Sequence, residues 1–153
     1  TAATSCASAD THFCNKQQYD CGSCGGHVFI AVVKVDCSVT RQHLVGMNIN
    51  TAYTADYVTI ENSTGFTNIQ ALTRNGGASR TSTGIARNTN CNLWEATLTC
   101  GNWSLVHCGG CSVVCKTTCL PNAGGLSPRL RARNLSGSAS HTFHWRYMEA
   151  FNT

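Results

Sequence analysis

Two short cysteine knots constrain this chain more than any other feature: Cys21-Gly-Ser-Cys24 followed by Gly25-Gly26, and His107-Cys108-Gly-Gly-Cys111 followed by Ser112-Val113-Val114. The flanking cysteines repeat. Cys6, Cys14, Cys21 and Cys24 are separated by seven, six and two residues; Cys91, Cys100, Cys108 and Cys111 by eight, seven and two. An apolar run leads from the first knot to Cys37, and a shorter one leads from the second to Cys115 and Cys119. Between Cys37 and Cys91 there is no cysteine. The chain thus reads as two related cysteine-rich segments, 6–37 and 91–119, flanking a cysteine-free β region, 38–90, with C-terminal strands over 126–153. Duplication would explain the echo, although the segments after Cys37 and Cys119 do not match.

Three chemistries use C-x-x-C. Two knuckles could give four thiolates to one zinc, but seven further cysteines and the lack of another ligand pattern argue against it. Redox C-x-x-C opens a helix after its first cysteine, whereas Gly25-Gly26-His27-Val28-Phe29-Ile30 is strand-like. Haem attachment needs a His after the second cysteine, and Gly25 and Ser112 stand there instead. Structural disulfides remain, with glycines letting the backbone turn sharply between paired cysteines. Eleven cysteines leave one over, and Cys115 has no counterpart in the repeat. It is the expected unpaired or intermolecular thiol. The other ten, Cys6, Cys14, Cys21, Cys24, Cys37, Cys91, Cys100, Cys108, Cys111 and Cys119, are expected to pair mostly within their own segments. A strand through 111–119 would put Cys111, Cys115 and Cys119 on one side in steps of about 13 Å, too far apart to bridge one another.

With 153 residues the chain has the size of one domain and can bury an ordinary core without disulfides. The excess of cysteine points to persistence outside the cell. The start at Thr1 fits removal of a signal peptide, and sequons at Asn62, Asn102 and Asn134 fit a glycoprotein. Charged residues make up only 12 % of the chain, about half the usual share, with Thr, Ser, Asn and Gly solubilising in their place. A net charge of +4 does not call for nucleic acid, and no apolar run is long enough to span a membrane.

Helical periodicity is nearly absent, and strand and turn signals are many. Strands are expected at His27–Cys37, His43–Asn50, Asp56–Glu61, Thr67–Thr73, Arg80–Arg87, Leu93–Thr99, Trp103–His107, Arg129–Leu135 and His141–Phe151. Asn75-Gly76 is a preferred hairpin dipeptide, and Cys100-Gly101 reads as another tight turn. Both prolines, Pro121 and Pro128, are expected between strands. The sum is an all-β, disulfide-rich antiparallel sandwich or barrel, one unit over residues 1–153. The tail Thr1–Ser5 reads as frayed, or as an arm pairing with a neighbouring sheet edge.

Candidate sites are few. Arg129, Arg131 and Arg133 alternate, with Leu130 and Ala132 turned inward. Such a stripe grips planar oxyanions, or guards an edge strand. Phe143, Trp145 and Tyr147 alternate as a core row or, if exposed, as a platform for sugar rings; Trp94 and Trp103 carry the same ambiguity. His141 and His144 fall on opposite faces of a strand, which disfavours a metal site with His107. Asp10, Asp20, Asp36, Asp56, Glu61, Glu95 and Glu149 are scattered, and no hydrolase, phosphate-loop or dinucleotide motif occurs.

The expected function is therefore a secreted, extracellular structural or assembly protein, a matrix, coat or fibre subunit, working without cofactor or metal and partnered by copies of itself or by matrix and glycan components. The balance leans against an enzyme. The alternative is a lectin-like carbohydrate-binding module, and a secreted hydrolase comes third.

Overall fold

A computed structural model describes residues 8–12, 27–35, 41–48, 56–99, 101–121, 126–134 and 143–152. Among the described residues eleven strands follow one another: β1 (Ser8–His12), β2 (His27–Val35), β3 (Arg41–Asn48), β4 (Tyr57–Ser63), β5 (Asn68–Asn75), β6 (Gly77–Ala86), β7 (Asn92–Thr99), β8 (Asn102–His107), β9 (Ser112–Lys116), β10 (Ser127–Asn134) and β11 (Phe143–Asn152). They form two sheets, β1-β10-β3-β4-β5-β6 and β11-β2-β7-β8-β9. All the pairings are antiparallel. The expected all-β sandwich is what the chain forms.

Local turn chemistry sets the hairpins. Gly76 and Gly101 adopt φ of +69° and +79°, a region that glycine enters without a Cβ clash. They join β5 to β6 and β7 to β8. Alternation then sorts the faces. Phe29, Ala31 and Val33 of β2 turn to the interior with Trp94, Ala96 and Leu98 of β7. Val45, Met47, Val58, Ile60, Ile69 and Leu130 meet them from the other sheet. Trp94 and Trp103 are each 1 % exposed, so both belong to the core; truncating either to Ala would cost about 3–5 kcal/mol.

The sandwich is fastened along one side by residues after β8. Lys116, at the end of β9, donates from Nζ to Ser79 O (2.9 Å), Ser79 Oγ (3.0 Å) and Thr81 Oγ1 (3.1 Å) on β6. Asn75 Nδ2 donates to Leu120 O at 2.8 Å, and Thr73 Oγ1 to Thr118 O at 3.2 Å.

Four expectations change. β9 ends at Lys116, so Cys111 and Cys119 lie outside the strand that was to align them with Cys115. Pro128 lies inside β10, opposite Met47. It is tolerated at the strand start because β1 reaches only as far as the His12–Arg129 pair. β10 itself runs between β1 and β3 and is no edge strand. The last strand carries a bulge: Trp145 pairs with Val33 and Tyr147 with Val32, so Arg146 is inserted and the aromatic alternation breaks. Thr1–Ser5 lie outside the described residues.

Candidate functional site

Strand β4 is buried at all seven positions. Val58 and Ile60 fill the core, so Tyr57, Thr59, Glu61 and Ser63 face the other side of the six-stranded sheet. Register extends that face across the strands. Glu61 stands opposite Leu44 and Gln70, and Leu44 opposite Arg131. Thr59 stands opposite Gly46 and Leu72, with Arg129 and Arg80 beyond. Tyr57 pairs with Arg74. Leu44, Tyr57 and Leu72 form a small apolar cluster on this face, separate from the main core.

Glu61 is the centre of the face. Its side chain is 1 % exposed and accepts from Arg80 Nε at 2.8 Å. Gln42 Nε2 donates to the other oxygen. A carboxylate this deep is stable only because charged and amide donors replace its water. Arg80 lies with its guanidinium 5.6 Å from the centre of the Phe66 ring, a cation–π contact. The buried floor of Thr59, Glu61, Ser63, Gln70 and Arg129 is thus rimmed by half-buried Gln42, Arg74 and Arg131 and exposed Arg80.

The arginine stripe has the parity expected of it: Leu130 and Ala132 are buried and Leu130 joins the core. Its exposure differs. Arg129 is 1 % exposed, Arg131 is half-buried, and the side chain of Arg133 lies outside the described ones. Sequence reasoning counted Glu61 only among scattered acids and passed over Gln42, Gln70 and Arg80. The alternation Tyr57-x-Thr59-x-Glu61-x-Ser63 was the available signal.

The other expected sites scatter. Tyr147 is 46 % exposed and donates to Glu149; that bond holds its phenol above the usual range. The side chains of Phe143, His144 and Trp145 lie outside the described ones, as does residue 141 altogether. Asn62 is buried, and its Oδ1 accepts from Arg87 Nε at 2.9 Å, so a glycan there would have to break into the sandwich. Asn102 is exposed at the β7–β8 turn. Asn134 ends β10, its side chain outside the described ones.

Around the second knot, Cys91, Cys108, Cys111 and Cys115 are exposed and Cys119 half-buried, all as free thiols. Cys6, Cys14, Cys21, Cys24, Cys37 and Cys100 lie outside the described residues. Cys108, in a left-handed turn conformation, brings Sγ to 3.4 Å from His107 Nε2. The same nitrogen meets Asn92 Oδ1 at 2.9 Å, and the ring packs against Trp94, tilted by 44° with centroids 4.6 Å apart. A nucleophile–base–orienter relay needs the thiol and the orienting amide on opposite ring nitrogens. Here both fall on one, so the ring cannot relay a proton. Among the described residues, no group of three or more His, Cys, Asp or Glu is placed to hold a metal ion.

No family model matches the chain, and no curated protein matches its sequence. Its fold does match solved structures. One is a Mycobacterium tuberculosis protein described as an immunostimulatory antigen and pseudo β-1,3-glucanase, with TM-score 0.69, 10 % identity, and coverage of 90 % of this chain and 67 % of that one. A Bacillus licheniformis β-glucanase gives TM-score 0.63 at 14 % identity over 90 % and 67 %. An alginate lyase in complex with dimannuronate gives 0.63 at 10 % over 94 % and 69 %. The chain covers 65 % of a glycoside hydrolase family protein from Mycobacterium thermorestibile and 81 % of an uncharacterised protein from Mycobacterium paratuberculosis. At such identities the shared property is the fold. These matches overturn the expectation of a matrix, coat or fibre subunit, because the neighbours with a described activity are named for polysaccharides. Missing catalytic motifs and spare cysteines had favoured assembly, but neither feature is specific to it.

Proposed function

We propose that this chain is a lectin-like carbohydrate-binding β-sandwich that engages a glycan on the outer face of its six-stranded sheet. The observation that carries the reading is the polar face centred on Glu61, set on a fold whose neighbours include proteins named for glucan and alginate. Around the buried Glu61 the face presents a polar rim to solvent, half-buried Gln42, Arg74 and Arg131 and exposed Arg80, side chains of the kind that meet sugar hydroxyls. Binding is favoured over glycoside hydrolysis because Glu61, the buried carboxylate at the centre of the face, is already engaged by Arg80 and Gln42.

In the same reading the chain works outside the cell as one unit, its cysteines close as disulfides there, and its partner is a glycan. Asn102, exposed in a turn, is the sequon best placed to carry sugar. A glycan array with the full chain tests the proposal: selective retention of polysaccharides is expected, and an array without hits would sink it. Release of reducing ends or unsaturated sugars from a bound glycan would replace binding with catalysis.

A further inference from the structure

We infer that Asn75-Gly76 is a modification site: the asparagine deamidates at this turn, and the carboxylate it becomes releases the strap formed by residues 117–121. Glycine follows an asparagine only here in the sequence, and the chemistry needs that neighbour. The backbone nitrogen of Gly76, deprotonated by hydroxide, attacks Asn75 Cγ. A N–Cγ bond forms, the Cγ–Nδ2 bond breaks, and the amide leaves as ammonia after taking a proton from water. Water then opens the five-membered ring at either carbonyl, giving aspartate or isoaspartate and releasing a proton. Water is the co-reactant, and nothing is oxidised or reduced. A side chain on the following residue would hinder the attack, and Gly76 has none.

The fold presents the reacting bond to water. Gly76 is the centre of a hairpin in which Asn75 pairs with Gly77. Both glycines are exposed and Asn75 is half-buried. Chain neighbours aside, no atom lies within 4 Å of where a Cβ on either glycine would stand. One bond opposes the reaction. Asn75 Nδ2, the leaving nitrogen, donates to Leu120 O at 2.8 Å. Two residues earlier on β5, Thr73 Oγ1 donates to Thr118 O at 3.2 Å, so the strap is tied twice to one strand. Local opening of the strap frees the amide and thus gates the rate. The product then changes the tie. A carboxylate has no donor, and it meets the Leu120 carbonyl as acceptor against acceptor. Isoaspartate also lengthens the backbone inside the turn. The strap that opened to allow the reaction loses its anchor at Asn75 for good.

The test is incubation of the full chain in heavy-oxygen water at neutral and mildly alkaline pH, followed by peptide mapping. The heavy oxygen marks carboxylates made during the incubation. Asn75 is expected to be labelled before any other asparagine, and faster at the higher pH. Thr73→Val removes the neighbouring anchor without touching Asn75. It should raise the rate about fivefold, the factor that one ordinary hydrogen bond is worth. If that variant does not fold, low urea on the unaltered protein takes its place and should raise the rate likewise. Asn75→Asp, the product made directly, should speed trypsin cleavage after Lys116, which is 4 % exposed in the intact sandwich, while the far-UV spectrum is kept. Labelling of another asparagine first overturns the site. A rate indifferent to both Thr73→Val and urea overturns the gating, and Asn75→Asp cleaved no faster than the unaltered chain overturns the release.

Discussion

Arg80 Nε donates to Glu61 Oε2 at 2.8 Å across two environments, the arginine side chain 45 % exposed and the glutamate 1 %. The pair is therefore unequal under mutation. Removing the arginine strands a buried carboxylate that keeps the Gln42 amide as a donor. Removing the glutamate frees an arginine that water can solvate. Arg80→Ala should cost about 2 kcal/mol, less than the loss for a fully buried pair because half of the arginine is already in water. Glu61→Gln keeps shape and an acceptor and should cost about 1 kcal/mol. Urea midpoints of the two variants check the order; equal losses would mean that the carboxylate is not desolvated.

The arginines of β10 separate in the same way. Arg129 is 1 % exposed and Arg131 is half-buried. Arg129→Glu places a carboxylate in a buried slot shaped for a cation, a loss of about 3–5 kcal/mol against a typical total of roughly 5–15. Little soluble folded protein is expected. Arg131→Glu should cost about 1 kcal/mol and give a soluble sandwich with the same far-UV spectrum. Comparable yields of the two would show that Arg129 is not enclosed.

How much of this was legible in the sequence depends on the range of each interaction. The turns at Asn75-Gly76 and at Gly101 are local chemistry, and both glycines lie where the sequence places them. The inward parity of Leu130 and Ala132 is also local. The position of β10 between β1 and β3 is not, since its partners come from residues 8–12 and 41–48. Thus a stripe that looks like a guarded edge is an interior strand. Nor does alternation say how deep a face lies: Glu61 reads like any strand glutamate until Gln42 and Arg80 arrive from two other strands. The bulge at Arg146 has no turn residue to announce it.

Gly46 is a packing requirement. A Cβ built there would lie 2.1 Å from Val58 O and 2.7 Å from Thr59 Cα. Both are backbone atoms of β4, which cannot swing aside like a flexible side chain. Gly46→Ala should cost about 1–3 kcal/mol by overpacking and lower the melting temperature by several degrees. Gly65, with nothing within 4 Å of its would-be Cβ, is the control, and Gly65→Ala should shift stability by less than about 0.5 kcal/mol. Calorimetry of both separates a steric effect from a general glycine effect.

The cysteines give a countable prediction. Eleven cysteines closed into the proposed five bridges leave one thiol. Alkylation of the unreduced, denatured protein should then add a single label, which peptide mapping is expected to place on Cys115. Labels on Cys91, Cys108, Cys111, Cys115 and Cys119 together would match the free thiols seen around the second knot and would refute the bridge count for that segment.

His107 gives the pH dependence. Burial lowers its pKa from 6.5, because charging the ring against Trp94 loses water. The unfolded chain therefore binds a proton at a higher pH than the folded one. Between the folded value and 6.5 the unfolded state holds more protons, so stability falls as pH falls through that window and is level for this group on either side. The effect should be small, since most of the ring is still solvated. Urea midpoints measured from pH 7.5 down to pH 4.5 should show a loss beginning near 6.5 that His107→Gln reduces. The glutamine amide can still reach Asn92, so the variant tests titration and not the lost hydrogen bond. An unchanged profile would assign the acid sensitivity to other groups.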